Sequence, residues 1–374
     1  MRSAVLALHL WAIAQAAPDG SAVTVYRNAR WLIRGLGTEM LTNVAGRGGQ
    51  TWQRAFRGQR APEHGGGAVA VVTGATGGIG AEVAMGLAQC GYHVVVAARD
   101  RARGRSLVAK LKKCGGAAEF VELHAEQPAS AAALATSLRG RPCALVINNA
   151  GVMGVSKWEI MATNYVGPAV LTLTLLPLLR QHASPRVVNV GSSSHLRAAR
   201  VEPASLQSAE RDGDLCAYAQ SKLGLMQFSS LLRTSLPWLT VVDAHPGLVW
   251  TPMLQRHWGK LSPLLQRSGV ARCLFKQPEC GAATILAAAL SPQEPPAHWG
   301  ERTRWRRDWA TQPYFVNGRP GGFASAESRD VVAARAAWVS LLRPMVRAHA
   351  PDGCREVDGG LEAERRVLQD KHEP

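Results

Sequence analysis

Six short β-branched or aliphatic runs, VAVVT, HVVVAA, the weaker FVELH, ALVIN, RVVNV and TVVDAH, recur from Ala68 onward, each followed by a helix-compatible segment. A strand with one wet face alternates apolar and polar residues, whereas continuous apolar runs suit strands covered on both faces. Parallel strands need crossovers, and the intervening helices supply right-handed ones. The pattern predicts an α/β fold, a doubly wound parallel sheet with helices on both faces. Composition agrees, because 47% hydrophobic residues, only 19% charged residues and 37 glycines argue for a compact, turn-rich core rather than a coiled coil or a disordered acidic chain.

The 374 residues exceed one such sheet, so one catalytic domain with extensions is the simplest division. Residues 1–17 carry Arg2, the apolar run AVLALHLWAIA and a small-residue AQAA stretch, a signal-like or membrane-anchor segment too short to span a bilayer comfortably. Arg27, Arg30 and Arg34 among Trp31, Leu32 and Ile33 follow it, as in a basic interfacial helix. Residues 18–67 read as a basic, Gly/Arg-rich linker, 68–346 as the catalytic domain with an insertion at about 292–312, and 347–374 as a polar C-terminal tail.

The formal net charge of +16 draws the molecule towards lipid headgroups, polyanions or nucleotide phosphates without choosing among them. The arginines of 27–60 and 302–307 lack the fold context of a nucleic-acid module, so nucleic acid is not expected as a partner. Cys90, Cys114, Cys143, Cys216, Cys273, Cys280 and Cys354 are odd in number and scattered, with no CxxC pair and no clustered histidines. That argues against a disulfide framework and against a metal site.

The first apolar run leads into TGATGGIG, Thr73 to Gly80, and then a helix-forming stretch. Glycines at 74, 78 and 80 permit a tight turn and a close backbone approach, while a helix N-terminus offers free N–H groups to a pyrophosphate. Strand, glycine turn and helix together read as a dinucleotide site. The second strand ends in Arg99, where a protein preferring NAD(H) places an acid on the ribose. A guanidinium there suits a 2′-phosphate, which favours NADP(H), and the adjacent Asp100 keeps NAD(H) open. In YAQSK, Tyr218 and Lys222 are four apart and share a helix face. A neighbouring ammonium is expected to lower the phenol pKa towards neutrality and make Tyr218 an acid/base.

TGxxxGxG, NNAG at Asn148 to Gly151, a serine after RVVNV, YxxxK and a PG turn follow one another in this order, and together they resemble the short-chain dehydrogenase/reductase family over about Ala68 to Met345. INNAGVM, RVVNVGSSSH and AYAQSKL look most like its retinol-dehydrogenase-like branch. The resemblance implies a Rossmann fold. It also implies that Ser192 bonds the substrate carbonyl, Tyr218 exchanges the proton, Lys222 binds the nicotinamide ribose, and Asn164 holds a relay water. Ser193 and Ser194 leave the serine open by one position. Thr73, Gly74, Thr76, Gly78, Ile79, Gly80, Arg99, Asn148, Ala150, Gly151, Pro246, Gly247, Val249 and Thr251 would contact the cofactor together with Tyr218 and Lys222.

Two features depart from the family pattern. Leu123-His124-Ala125 stands where the family usually has an aspartate that reads adenine, and Ser192 and Tyr218 are 26 positions apart, a spacing long for the family at large that suits the retinol-dehydrogenase-like branch. The expected activity is alcohol–carbonyl interconversion on a hydrophobic retinoid, steroid, polyprenoid or fatty aldehyde, with membrane or endoplasmic-reticulum attachment through the N-terminus and a homodimer among the partners. A cofactor-binding scaffold without turnover and a membrane-surface or polyanion binder are the alternatives.

Overall fold

The computed structural model describes residues 51–56, 67–212, 215–258, 275–291, 314–316, 319–320 and 324–370. The signal-like segment 1–17, most of the linker and the insertion at 292–312 lie outside the described residues. Eight strands form one sheet: β1 Val69–Thr73, β2 His93–Ala98, β3 Ala118–Glu122, β4 Cys143–Asn148, β5 Arg186–Val190, β6 Thr240–His245, β7 Tyr314–Val316 and β8 Arg319–Pro320. Their spatial order is β3-β2-β1-β4-β5-β6-β7-β8. All pairings are parallel except β7 with β8.

Six strands were legible as apolar runs. The short YFV of β7 adds a seventh parallel strand that such a run could not announce. β1, β4 and β5 are buried along their whole length, as two-sided cover requires, whereas β3 at the sheet edge is buried only at Ala118 and mixes Glu119 and Glu122 into its run.

Helices α1 Gly78–Gln89, α2 Arg101–Lys113, α3 Pro128–Ser137, α4 Lys157–Leu179, α5 Cys216–Ser235, α6 Pro252–Trp258, α7 Pro278–Leu290 and α8 Pro351–Asp370 surround the sheet. Two apolar cores flank it. One joins Val83 and Leu87 of α1, Leu111 of α2 and Ile285 and Leu286 of α7 to one sheet face. The other joins Leu134 of α3, Leu173 and Leu176 of α4 and Phe228 and Leu231 of α5 to the opposite face. The fold is thus the doubly wound Rossmann arrangement. α4 is long and apolar enough to cross a membrane by composition, but its most apolar window is 89% buried inside the protein, so it is a core helix.

Strand order reverses between β1 and β4. The loops leaving these two strands diverge in opposite directions, and a crevice opens at the carboxyl ends of the strands.

The described structure corrects two boundaries. The polar tail is largely the helix α8, which packs on α4 and α5. Most of its charged residues are exposed, while Cys354 and Val357 are buried in the core against α4 and α5. Close docking comes from two glycines seven positions apart: an added Cβ on Gly353 would stand 2.6 Å from the Leu173 carbonyl oxygen, and one on Gly360 1.9 Å from that of Ser235. Trp338 donates to Asp358 at 2.9 Å and Arg343 pairs with it at 2.7 Å, fastening the preceding helical run to α8. A glycine-rich, strongly charged sequence conceals such a face. Within the supposed linker, Trp52 is buried beside α1 and α7, and its indole N–H donates to Glu82 at 2.8 Å.

Gly360→Ala should therefore lower the melting temperature by several degrees, since overpacking costs about 1–3 kcal/mol. Gly359→Ala, where an added Cβ meets nothing within 4 Å, should not. Equal melting of both variants would show that α8 does not dock through this contact.

Candidate active site

The crevice begins at Thr73, the last residue of β1. Its hydroxyl donates to the Ile147 carbonyl at 3.2 Å and accepts the N–H groups of Asn149 at 3.0 Å and Ala150 at 2.9 Å, tying the ends of β1 and β4 together. Gly74 has φ +64°, and an added Cβ would stand 2.8 Å from the Ala150 Cα. A Cβ on Gly80 would meet the Gly74 carbonyl oxygen at 2.6 Å. Only glycine lets turn, strand and α1 approach so closely. No side chain caps the N-terminus of α1, so its first N–H groups are left for an anion.

A cavity of about 520 Å³ runs from this turn along the strand ends. Thr76, Ile79, Ala150, Gly151, Pro246, Gly247, Val249 and Thr251 line it beside the glycines. Thr73 acts from behind through the hydrogen bonds above. Asn148, expected at the cofactor, does not line the cavity: its amide donates to Thr172 at 3.1 Å and to Asn189 at 2.8 Å within the core. Side chains alternate across a strand, so Asn148 at the end of β4 points into the helix layer, and Asn149 turns to the cavity instead. Beyond Asn148, Asn189 donates to Ser229, and Ser229 to Asp243, so a polar chain pins α5 to β5 and β6.

At one end of the cavity stand Arg99 and, unanticipated from the sequence, Arg103. Asp100 caps α2 by accepting the Arg103 N–H at 2.9 Å and also pairs with the Arg103 guanidinium at 2.9 Å. This carboxylate is already engaged, whereas Arg99 stands exposed on the cavity wall. Bare glycine backbone, a free helix N-terminus and guanidinium groups together fit a phosphorylated dinucleotide.

At the opposite end Ser192 follows β5, and Tyr218 and Lys222 lie one turn apart on α5. All three line the cavity. Ser192 is the serine whose hydroxyl acts on the Tyr218 phenol, lowering its pKa; that hydroxyl also donates to Ser194 at 3.2 Å. Lys222 donates to the Val190 carbonyl at 2.9 Å and lies 5.8 Å from the centre of the Tyr218 ring. Contrary to the expectation of a lowered phenol pKa, burial pushes Tyr218 up to about 12, the Ser192 bond opposing it. Burial likewise brings Lys222 down to about 8. Desolvation of the charged form is the largest cause in both cases.

Asn164 sits in a π-helical turn of α4, a feature often found at functional sites. Its side chain is fully buried, accepting the Val152 N–H at 2.8 Å and donating to the Val152 carbonyl at 2.9 Å and to Ser221 at 3.2 Å. It lies near the cavity but not on its wall; an added Cβ on Gly151 would stand 3.4 Å from Asn164 Oδ1 and 3.8 Å from Lys222 Nζ.

Sequence reading missed the groups that aim this machinery. Buried Asp212 accepts the backbone N–H groups of Ala217 at 3.0 Å and Tyr218 at 2.9 Å, capping α5 where the phenol is mounted. Between them Leu215 takes a left-handed φ of 62°, a strained conformation of the kind that clusters at active sites. His195 Nδ1 lies 2.6 Å from the Ser192 carbonyl and its Nε2 accepts the Ser325 N–H at 3.2 Å, so Nδ1 carries the proton and the ring ties the serine loop to the C-terminal segment. An aspartate six residues before a tyrosine is a recognisable capping signal; His195 has none, because its partner is 130 residues away.

Residues 68–261 match the family model described as short chain dehydrogenase. The chain is 37% identical to polyprenol dehydrogenase of Mus musculus over 61% of this chain and 72% of that protein. It is also 37% identical to dehydrogenase/reductase SDR family member 13 of Bos taurus, over 60% of this chain and 62% of the relative. Among solved structures it is similar to an actinorhodin polyketide ketoreductase with NADPH, with a TM-score of 0.50 and 25% identity over 60% of this chain and 91% of that one.

Proposed function

Because this chain belongs to the short chain dehydrogenase family and is an oxidoreductase of that family, we propose that it interconverts an alcohol and a carbonyl on a hydrophobic substrate with NADP(H), using Tyr218 as the proton donor and acceptor. The observation that carries this reading is the convergence of Ser192, Tyr218 and Lys222 on one cavity whose other end carries the glycine turn and Arg99. The ketoreductase similar to this chain was solved with NADPH, and the engagement of Asp100 in the α2 cap favours the same cofactor over NAD(H).

NADP(H), when bound, supplies or takes the hydride. Gly74, Thr76, Gly78, Ile79 and Gly80 would hold its pyrophosphate, Arg99 with Arg103 its 2′-phosphate, and Ala150, Gly151, Pro246, Gly247, Val249 and Thr251 its remaining length. Ser192 would donate to the substrate oxygen. Tyr218, kept as a phenol by burial, would pass its Oη proton to that oxygen in reduction. Lys222 would hold the ribose and return charge balance to the phenol, and the turn bearing Asn164 would connect the pair to solvent.

The substrate end is walled by Val152, Met153, Leu215, Leu248, Met253 and Phe275. This apolar wall supports a lipid-like carbonyl, in keeping with the polyprenol dehydrogenase relative. Membrane attachment through AVLALHLWAIA and Arg27, Arg30 and Arg34, at the endoplasmic reticulum, belongs to the same reading. Helix α8 covers α4 and α5, so a homodimer would use another face.

NADPH and NADH oxidation by the full chain against retinal, a long-chain aldehyde, a ketosteroid and a small aldehyde tests the proposal. NADPH consumption that grows with substrate hydrophobicity and falls roughly 100- to 10,000-fold in Tyr218→Phe supports it. Binding without turnover would establish a scaffold instead. Arg99→Ala should raise the KM for NADPH far more than that for NADH.

The pH profile has a definite sign. Reduction needs the Tyr218 phenol, present up to about 12, and the Lys222 ammonium, which loses its proton as pH rises through about 8. The reduction rate should therefore hold at neutral pH and decline above about 8; a rate that climbs through that range would contradict the assignment.

A further inference from the structure

Helix α2 reads RARGRSLVAKLKK, six arginines and lysines among 13 residues with no acid. The pattern does not help the helix itself. Arg101 and Arg105, four apart, are like charges on neighbouring turns, and they stand with Arg103 at the positive end of the helix dipole. Nearby carboxylates answer only part of the charge. Glu122 pairs with Arg101 at 2.6 Å and Asp100 with Arg103 at 2.9 Å, while Glu119 is engaged by His93 and Arg141. Arg105, Lys110, Lys112 and Lys113 are exposed and form no ion pair among the described residues. None of the four lines the cavity, so the cofactor of the proposed function does not account for them.

The helix is fixed with this face outward. Leu107 and Leu111 are buried, and Gly104 lies so close on β3 that an added Cβ would stand 2.1 Å from the Phe120 ring. At 3.6 residues per turn, Arg101, Arg105 and Lys112 run along one side of the exposed surface and Arg103, Lys110 and Lys113 along the other. Small residues, Ala102, Ser106 and Ala109, lie between them. Two cationic rails thus flank a shallow strip about 20 Å long. The strip has no large apolar side chain to insert into a groove, and no aromatic or amide side chain with which to stack on or read a base. A broad anionic plane meets both rails at once.

Resting on the membrane reading of the proposed function, we propose that the exposed face of α2 lies on a bilayer surface rich in anionic lipid headgroups, with Arg105, Lys110, Lys112 and Lys113 as its contacts. The attraction is electrostatic and requires no insertion. It is separate from any hold exerted by the N-terminal segment. Because α2 starts beside Arg99 and Arg103, at one end of the cavity, the contact sets how the cavity is presented to the bilayer.

The test is sedimentation of the full chain with vesicles of phosphatidylcholine alone and with vesicles of roughly three-to-one phosphatidylcholine and phosphatidylserine, at low and high salt. Each cation at such a surface is worth roughly fivefold in partitioning. The wild type should bind the anionic vesicles roughly tenfold or more tightly than the neutral ones and lose the excess at high salt. Combined Arg105→Gln, Lys110→Gln, Lys112→Gln and Lys113→Gln should abolish the excess and leave neutral-vesicle binding, melting temperature and NADPH affinity unchanged. Combined Arg347→Gln, Arg355→Gln, Arg365→Gln and Arg366→Gln removes as many exposed charges from the side of the sheet covered by α8, and should keep the excess. Equal loss in both variants would reveal a net-charge effect, and an undiminished excess in the α2 variant would place docking elsewhere; either overturns the inference. Loss of duplex DNA binding by the α2 variant with vesicle binding intact assigns the face to nucleic acid and overturns it too. Equal binding of the wild type to both vesicle compositions removes the α2 contact while leaving N-terminal attachment standing, and binding to neither overturns both.

Discussion

A phenol and an ammonium are held together in a wall from which water is largely removed, and the rest of the site is arranged around that constraint. Tyr218 and Lys222 are both buried. Burial penalises each charged form, and it leaves a neutral phenol beside a cation whose proton is loosely held. Such a pair is useful only if its position is rigid. Asp212 caps the start of α5, and the polar chain from Asn148 through Asn189 and Ser229 to Asp243 fixes the same helix to the sheet below. His195 performs the equivalent service for the loop that carries Ser192. These are hydrogen bonds between groups that would be costly to leave unpaired in a core, so orientation and stability share the same contacts.

Electrostatic character changes along the cavity. Free N–H groups and guanidinium groups gather at the glycine turn and the end of β2, and the walls become apolar towards Met153, Leu248 and Phe275. A ligand with an anionic half and a greasy reaction partner would match both ends. The doubly wound sheet provides this by geometry, since β1 and β4 diverge at the switch point and Thr73 keeps the divergence at a fixed width.

Local signals carried much of this into the sequence. Apolar runs marked β1 to β6 because strands covered on both faces tolerate little else, and glycines 74, 78 and 80 marked the turn because a Cβ at 74 or 80 would strike backbone. Tyr218 and Lys222 were readable from helical spacing. What stayed hidden depends on distant partners. Asn148 lay one strand position from the cavity and faced the other way. Arg103 became a wall residue only when α2 began at Arg101, and Trp52 needed α1 and α7 to explain its burial. Glycines 353 and 360 disclosed nothing until α4 and α5 lay against them. The Tyr218 pKa was misjudged for the same reason: helical spacing reveals the neighbouring ammonium but not the loss of solvent, and desolvation is the larger effect here.

The state of the Tyr218 phenol is the point on which the account turns. Protein labelled with carbon-13 at tyrosine Cζ contains five tyrosines, and Tyr218→Phe identifies the resonance of interest. Titrated from neutral pH to about pH 11, below which an ordinary tyrosine is already ionising near pH 10, the Tyr218 signal should keep the shift of a neutral phenol throughout, as a pKa of about 12 requires. A phenolate signal appearing near neutrality would show that Lys222 overrides burial, and would contradict the account of how this site holds its proton.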